Sequence, residues 1–158
     1  MKKAKWKIYA FWIVLTELVG ALAGLLTRSG TKLYNEEAIK PLLSPPAAVF
    51  PIVWGILFLL MGIGTARVYM APPSRQRTRS LLLFGAQLIF NFFWSIFFFN
   101  FRAYGFAFFW LVILWGLILL MILSFRLVDK AAAWLQVTYL LWVAFAAYLN
   151  LSTWVLNR

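Results

Sequence analysis

The sequence predicts an all-α fold: an integral membrane bundle of five transmembrane helices. Three observations carry that prediction. Of the 158 residues, 65% are hydrophobic and 12% are charged, whereas a soluble domain is closer to half apolar and a quarter charged. The apolar residues gather into five stretches, each near the ~20 residues that cross ~30 Å of hydrocarbon. Short polar connections separate the stretches, and only one is long. Lipid gives backbone N–H and C=O groups no partner, so each stretch must satisfy its own as a helix, despite its β-branched and aromatic residues.

The spans fall at 8–26, 47–70, 81–99, 104–125 and 131–156, in one domain covering 1–158. The first follows the basic segment Lys2, Lys3, Lys5 and Lys7. It is long for a signal-peptide core and no small-residue cleavage site follows it, so it reads as a retained helix. Residues 28–46 form the one sizeable polar connection, with Tyr34, Asn35, Glu36, Glu37 and Lys40 as a candidate extramembrane lid. Residues 71–80 carry Arg75, Arg77 and Arg79, and tight turns follow at 100–103 and 126–130.

Charge gives an orientation. One set of helix ends collects Lys2, Lys3, Lys5, Lys7, Arg67, Arg75, Arg77, Arg79, Arg126 and Lys130; the other collects Arg28, Lys32, Lys40, Arg102 and Arg158. The bias puts the N-terminus in the cytoplasm and the first loop and C-terminus outside. The net charge of +11 thus faces lipid headgroups, and no nucleic-acid partner is expected.

Chemistry is narrowly bounded. Cysteine and histidine are absent, and the acids are Glu17, Glu36, Glu37 and Asp129. That removes thiolate chemistry, the commonest general base and the commonest metal ligand. A hydrolase or metalloenzyme fits poorly, and no metal site is expected.

Polar groups within the spans are the informative residues. In the third span Gln87, Asn91 and Trp94 share a face, with Ser95 one step around. Amides in hydrocarbon need partners, so this face meets a cavity or a neighbouring helix. In the fifth span Tyr139, Trp142, Ala146 and Asn150 make one stripe, with a small residue between aromatics. That gap admits a ligand or the close approach of another helix. The second span presents Pro51, Trp54, Phe58 and Met61 on one face. Before it, Ser44 is expected to cap the helix and Pro45 to sit in its first turn. Pro51 would then lie further in and kink it at the carbonyl of Ala47. Glu17 lies mid-membrane, where an acid is either neutral and hydrogen-bonded or faces a cavity. Gly20 and Gly24 form a GxxxG, which allows close helix contact within the bundle or between protomers.

In this order, the motifs resemble the translocator protein family, also called tryptophan-rich sensory proteins (TspO/MBR). They are Lys40-Pro41 and Pro45-Pro46, Val49-Phe50-Pro51 with Trp54, Gln87-Leu88 with Asn91 and Trp94, Ala133-Trp134-Leu135, Tyr139, Trp142 and Leu149-Asn150. The resemblance covers nearly the whole chain, and nine tryptophans suit the name. It implies a five-helix bundle, commonly a homodimer, in a bacterial cell membrane, with a pocket under the first loop. Its ligands would be porphyrins (protoporphyrin IX, haem) and related hydrophobic molecules. The implied ligand residues are Pro45, Pro46, Trp54, Gln87, Asn91, Trp94, Tyr139, Trp142, Ala146 and Asn150, and no cofactor beyond the ligand is required. One departure stands out. The family usually has tryptophan just before the Pro-Pro element, where this chain has Leu42 and Leu43, which removes an aromatic face from the expected mouth.

The functional reading is a membrane receptor or carrier with a sensory or tetrapyrrole-transport role. Two alternatives stay open. One is light-dependent porphyrin breakdown, for which Trp54 and Trp142 are the candidate catalytic residues. The other is a lipid or sterol translocator.

Overall fold

The computed structural model describes residues 2–158, with side chains from Lys5 onward. Met1 and the side chains of Lys2 and Lys3, which entered the charge count, lie outside the described residues. The elements are α1 (Lys2–Leu26), α2 (Arg28–Glu37), α3 (Val49–Tyr69), α4 (Arg75–Ser95), α5 (Tyr104–Arg126), α6 (Lys130–Leu135) and α7 (Val137–Asn157). No strand occurs among the described residues. Five helical segments are long and apolar enough to cross a membrane: Lys5–Leu26, Val49–Tyr69, Arg75–Asn100, Tyr104–Arg126 and Lys130–Asn157.

Three elements differ from the sequence reading. The polar connection forms a helix, α2, held against the bundle by contacts that local sequence does not encode. Gly30 lies so close to the Phe99 carbonyl that a Cβ would fall 2.5 Å from it, and Tyr34 packs on Phe98 and Phe99 at ring distances of 5.3 and 5.6 Å. The third span does not stop as an α-helix. It continues through a π-type turn over Ile96–Asn100, with the Phe101 N–H bonded to Ile96 O, five residues back, at 3.1 Å. The fifth span breaks at Gln136, whose Nε2 donates to Leu60 O on α3 at 3.0 Å.

The start of α3 corrects the proline expectations. The helix begins at Val49, and its N-cap position is Ala48, without a side-chain cap. Ser44 caps nothing, and its buried Oγ has no partner. Pro45 and Pro46 belong to the preceding turn, in which Val49 N donates to Pro46 O at 3.0 Å. Pro51 therefore sits in the first turn, where its missing N–H has no intrahelical role, and the expected kink does not arise.

At the end of the bundle opposite α2, the helices close tightly. Gly62 of α3 packs against α1, where a Cβ would meet Ile13 Cα at 2.5 Å. Thr16 Oγ1 donates to Phe58 O at 2.7 Å across the same pair. Ser80, Ser124 and Gln76 join α4 to α5, with Ser80 Oγ and Gln76 Nε2 at 2.7 and 2.8 Å from Ser124 Oγ. Arg67 Nε donates to Asp129 Oδ1 at 3.2 Å, and the same oxygen caps α6 through Ala132 N–H at 2.9 Å. Asp129 is held below the ordinary carboxylate range. Burial alone would raise it, but the Ala132 N–H and the Arg67 guanidinium outweigh that. Buried Leu57, Met61, Leu111, Leu114, Ile118, Met121 and Val143 fill the centre.

Candidate functional site

Above this closed end the helices diverge around a cavity of about 610 Å³. The reason is local. Gly20 is covered by the Phe58 ring, but one turn on, Gly24 has nothing within 4 Å of where a Cβ would stand, and neither has Gly55 opposite on α3. α2 lies across the mouth.

The wall comes from five elements. α1 gives Glu17, Gly20, Ala21 and Gly24, and α2 gives Arg28, Thr31, Tyr34 and Asn35. α3 contributes Phe50, Pro51, Trp54, Gly55 and Phe58; α4 with its π-type turn contributes Asn91, Trp94, Ser95, Phe98 and Phe99; α7 contributes Trp142, Ala146, Leu149 and Asn150. The three stripes found in the sequence thus converge on one space. The candidate lid, now the helix α2, does reach the cavity, through Tyr34 and Asn35 among others. The participation of α1 was not evident beforehand, although the mid-span Glu17 was a signal of it.

The sequence-derived site residues divide by position. Trp54, Asn91, Trp94, Trp142, Ala146 and Asn150 line the cavity. Gln87 and Tyr139 do not. They lie fully buried beneath it in a hydrogen-bonded chain. Asn91 Nδ2 donates to the Tyr139 hydroxyl at 2.6 Å, and that hydroxyl donates to Gln87 Oε1 at 2.7 Å. This chain fixes the Asn91 amide at the cavity floor, so these two residues support the wall rather than form it. Pro45 and Pro46 also lie outside the lining. They set the turn that delivers Phe50 and Pro51 to it. Leu42 and Leu43 are 81% and 74% exposed and do not line the cavity either. Leu43 has φ of 69°, in the left-handed region, and the Leu42 carbonyl accepts from Tyr148 OH at 2.7 Å.

The small residues also have assigned places. Gly20, Gly62 and Ala66 pack against neighbouring helices of the same chain, and Gly24 faces the cavity. Of the GxxxG pair, Gly20 meets the Phe58 ring and Gly24 meets no side chain.

Polar groups on the wall are mostly tied to the protein. Trp94 Nε1 donates to Asn150 Oδ1 at 3.0 Å, and Asn150 Nδ2 donates to Tyr104 O at 2.8 Å. Tyr34 reaches Thr153 Oγ1 at 3.3 Å. Because Thr153 donates to Leu149 O, the tyrosine is the donor. Burial raises the Tyr34 phenol, with the Thr153 bond acting against it, so at neutral pH it stays a donor. Trp54 on α3 and Trp142 on α7 both line the space, and the two helices meet through their aromatic rings. Trp54 meets Tyr139 edge-on at 6.2 Å, and Trp142 meets Phe50 at 5.8 Å. Arg28 stands at the mouth, and Lys40 Nζ lies 6.0 Å from the Tyr34 ring centre.

An aromatic chamber of this size, inside five apolar helices and rimmed by cations, defines an integral membrane protein with a small-molecule cavity. The sequence pattern of the TspO/MBR family matches residues 12–155, and the chain belongs to that family. It is 36% identical over 149 residues to the tryptophan-rich protein TspO of Chlorobaculum tepidum, with 94% of each chain covered. It is 33% identical over 118 residues to the tryptophan-rich sensory protein of Cereibacter sphaeroides, covering 75% of this chain and 73% of that one. The translocator protein of Bos taurus is 30% identical over 147 residues, covering 92% and 87%.

Proposed function

We propose that the chain is a membrane receptor or carrier that binds porphyrins, such as protoporphyrin IX or haem, and related flat hydrophobic molecules, in a sensory or tetrapyrrole-transport role. The observation that carries this is the cavity: about 610 Å³, walled by Trp54, Trp94, Trp142, Phe50 and Phe98, with Arg28 at its mouth. A flat macrocycle stacks on indole faces, and its propionates meet a cation. Relatives named as sensory and translocator proteins support the role. The same reading takes the chain as a homodimer in a bacterial cell membrane, with its N-terminus cytoplasmic and the cavity mouth outside.

Titration with protoporphyrin IX tests it. Trp142→Ala should weaken binding by about 1–3 kcal/mol, roughly five- to hundredfold. Trp6→Ala, at a residue 62% exposed and remote from the cavity, should change it little. Equal losses in both would mean that porphyrin partitions nonspecifically into detergent.

A second reading, light-dependent porphyrin breakdown, is favoured by one observation: Trp54 and Trp142 both line the cavity. Holding indole against an excited macrocycle raises its effective concentration without acid or base. Illumination of bound protoporphyrin, with mass analysis of the products, should then separate wild type from the Trp54→Phe/Trp142→Phe double variant. Identical products at identical rates, with binding intact, leave the receptor or carrier role alone.

A further inference from the structure

Glu17 is the one acid in the cavity wall, and the tryptophan-based reading gives it no task. It lines the cavity from α1 between Thr16, which bonds to Phe58 O, and Gly20, which the Phe58 ring covers. The lining residues next along that face are Gly20, Ala21 and Gly24, so little side-chain bulk stands between the carboxyl and the mouth. Among the described residues it makes no hydrogen bond and no ion pair, although both charge pairs, Arg67–Asp129 and Arg102–Glu37, lie at the bundle ends. The one cation in the lining is Arg28, on α2, eleven residues along the chain, and it forms no ion pair with Glu17. An unpartnered carboxyl at membrane depth is costly, and such a group usually serves a function.

The other deep polar groups sharpen what it can take. The Asn91 amide donates to Tyr139, the Trp94 indole to Asn150, and the Asn150 amide to a backbone carbonyl. One N–H of each is used. The second N–H of each amide and the Trp54 and Trp142 indole N–H groups remain as neutral donors, and Glu17 is the one charged acceptor on the wall. The two charged groups of the lining, the Glu17 carboxyl and the Arg28 guanidinium, are of opposite sign and come from different helices. A tetrapyrrole carries groups complementary to both, with propionates along one edge and nitrogens away from it. In a closed porphyrin the N–H groups point into the ring centre, and no side-chain oxygen can approach along them. In an open-chain tetrapyrrole the ring is interrupted, and the N–H groups face an accessible edge opposite the propionates.

We propose that Glu17 is a specificity-determining residue that accepts hydrogen bonds from the N–H edge of the ligand, so that the cavity favours open-chain tetrapyrroles over closed rings. This rests on the tetrapyrrole reading above. A charge-assisted bond in a low-dielectric cavity is roughly twice as strong as a neutral one.

The test is equilibrium binding of two probes, protoporphyrin IX and biliverdin, to the full chain in lipid nanodiscs. Both carry two propionates, so contacts at the mouth cancel in the ratio of affinities. Glu17→Ala should weaken biliverdin about tenfold or more, and Glu17→Gln, which keeps an acceptor but no charge, by less. Protoporphyrin IX should lose less than biliverdin in both variants, and an unchanged thermal unfolding midpoint reports an intact fold. A ratio of affinities that stays within about threefold of wild type in Glu17→Ala, or a loss shared equally by both probes, overturns the assignment of Glu17 and leaves the tetrapyrrole reading standing. A wild type that binds neither probe overturns both.

Discussion

At the end of the bundle that holds Arg67 and Asp129, α1 and α3 touch through their backbones. At the end covered by α2, the same two helices stand apart. The difference is made by very few atoms. Gly62 admits the Ile13 backbone, and Thr16 bonds across to Phe58 O. One or two turns further on, Gly24 and Gly55 face open space and line the cavity. Glycine in a membrane helix thus has two uses here. Where a neighbouring backbone arrives, it permits contact; where none arrives, it enlarges a void. The two acids inside or beside the bundle follow the same division. At the closed end Asp129 is held by Arg67 and the Ala132 N–H, whereas on the cavity wall Glu17 has no partner among the described residues.

Substituting the two kinds of glycine is the sharpest way to break this comparison. Gly62→Leu should destabilise the protein by about 3 kcal/mol, because the Ile13 backbone cannot yield. Gly24→Ala should leave stability unchanged or raise it by up to about 1 kcal/mol, since the added methyl meets nothing and alanine favours helix. Thermal unfolding in mild detergent measures both. Equal effects would mean that the helices do not separate at the cavity end.

The boundary between the two regions is the chain Asn91–Tyr139–Gln87. Tyr139→Phe keeps the ring but leaves a buried amide N–H and a buried carbonyl without partners. A loss of about 1–3 kcal/mol is expected. Porphyrin affinity should fall less than in Trp142→Ala, because Tyr139 lies under the floor. A fall as large as that of Trp142→Ala would place the tyrosine against the ligand.

The smallest expected effect belongs to the closed end. Asp129 has a lowered folded value, so its contribution is complete above the ordinary carboxylate range near pH 4 and is lost as pH falls below that range, through the lowered value. Arg67 is 39% exposed, so screening keeps the contribution under about 1 kcal/mol. The stability gap between wild type and Asp129→Asn should be present at neutral pH and shrink progressively as pH falls below the ordinary carboxylate range. A gap that persists in acid would assign the stabilisation to shape rather than charge.

The five spans were legible because hydrocarbon imposes a length, and runs such as 104–125 meet it without ambiguity. The stripes were legible because helical spacing places Tyr139, Trp142, Ala146 and Asn150 on one face. Spacing does not say what that face meets. Gln87 and Tyr139 share faces with cavity residues, yet at their depth the neighbour is another helix, and they bond to each other. α2 was not legible because its residues are mostly polar, and its anchors, Gly30 and Tyr34, act against Phe98, Phe99, Asn100 and Thr153, far along the chain. Pro51 was misplaced for a related reason. Its effect depends on whether the helix starts before Pro45 or at Val49, and composition does not fix that by itself.

The π-type turn at Ile96–Asn100 has a consequence best put in terms of insertion and deletion. Such a turn holds one residue more than the α-helix it interrupts. Removing one residue from this stretch would let α4 run on as an ordinary helix with every backbone bond satisfied. Yet each side chain beyond the cut would swing by about 100° around the axis. Phe98 and Phe99 would leave Tyr34 and the cavity, and Asn100 would release Leu26 O, which it now holds at 2.9 Å. The roof of the chamber is thus the work of one supernumerary residue. A chain one residue shorter here could keep all its membrane spans and still lose the space between them.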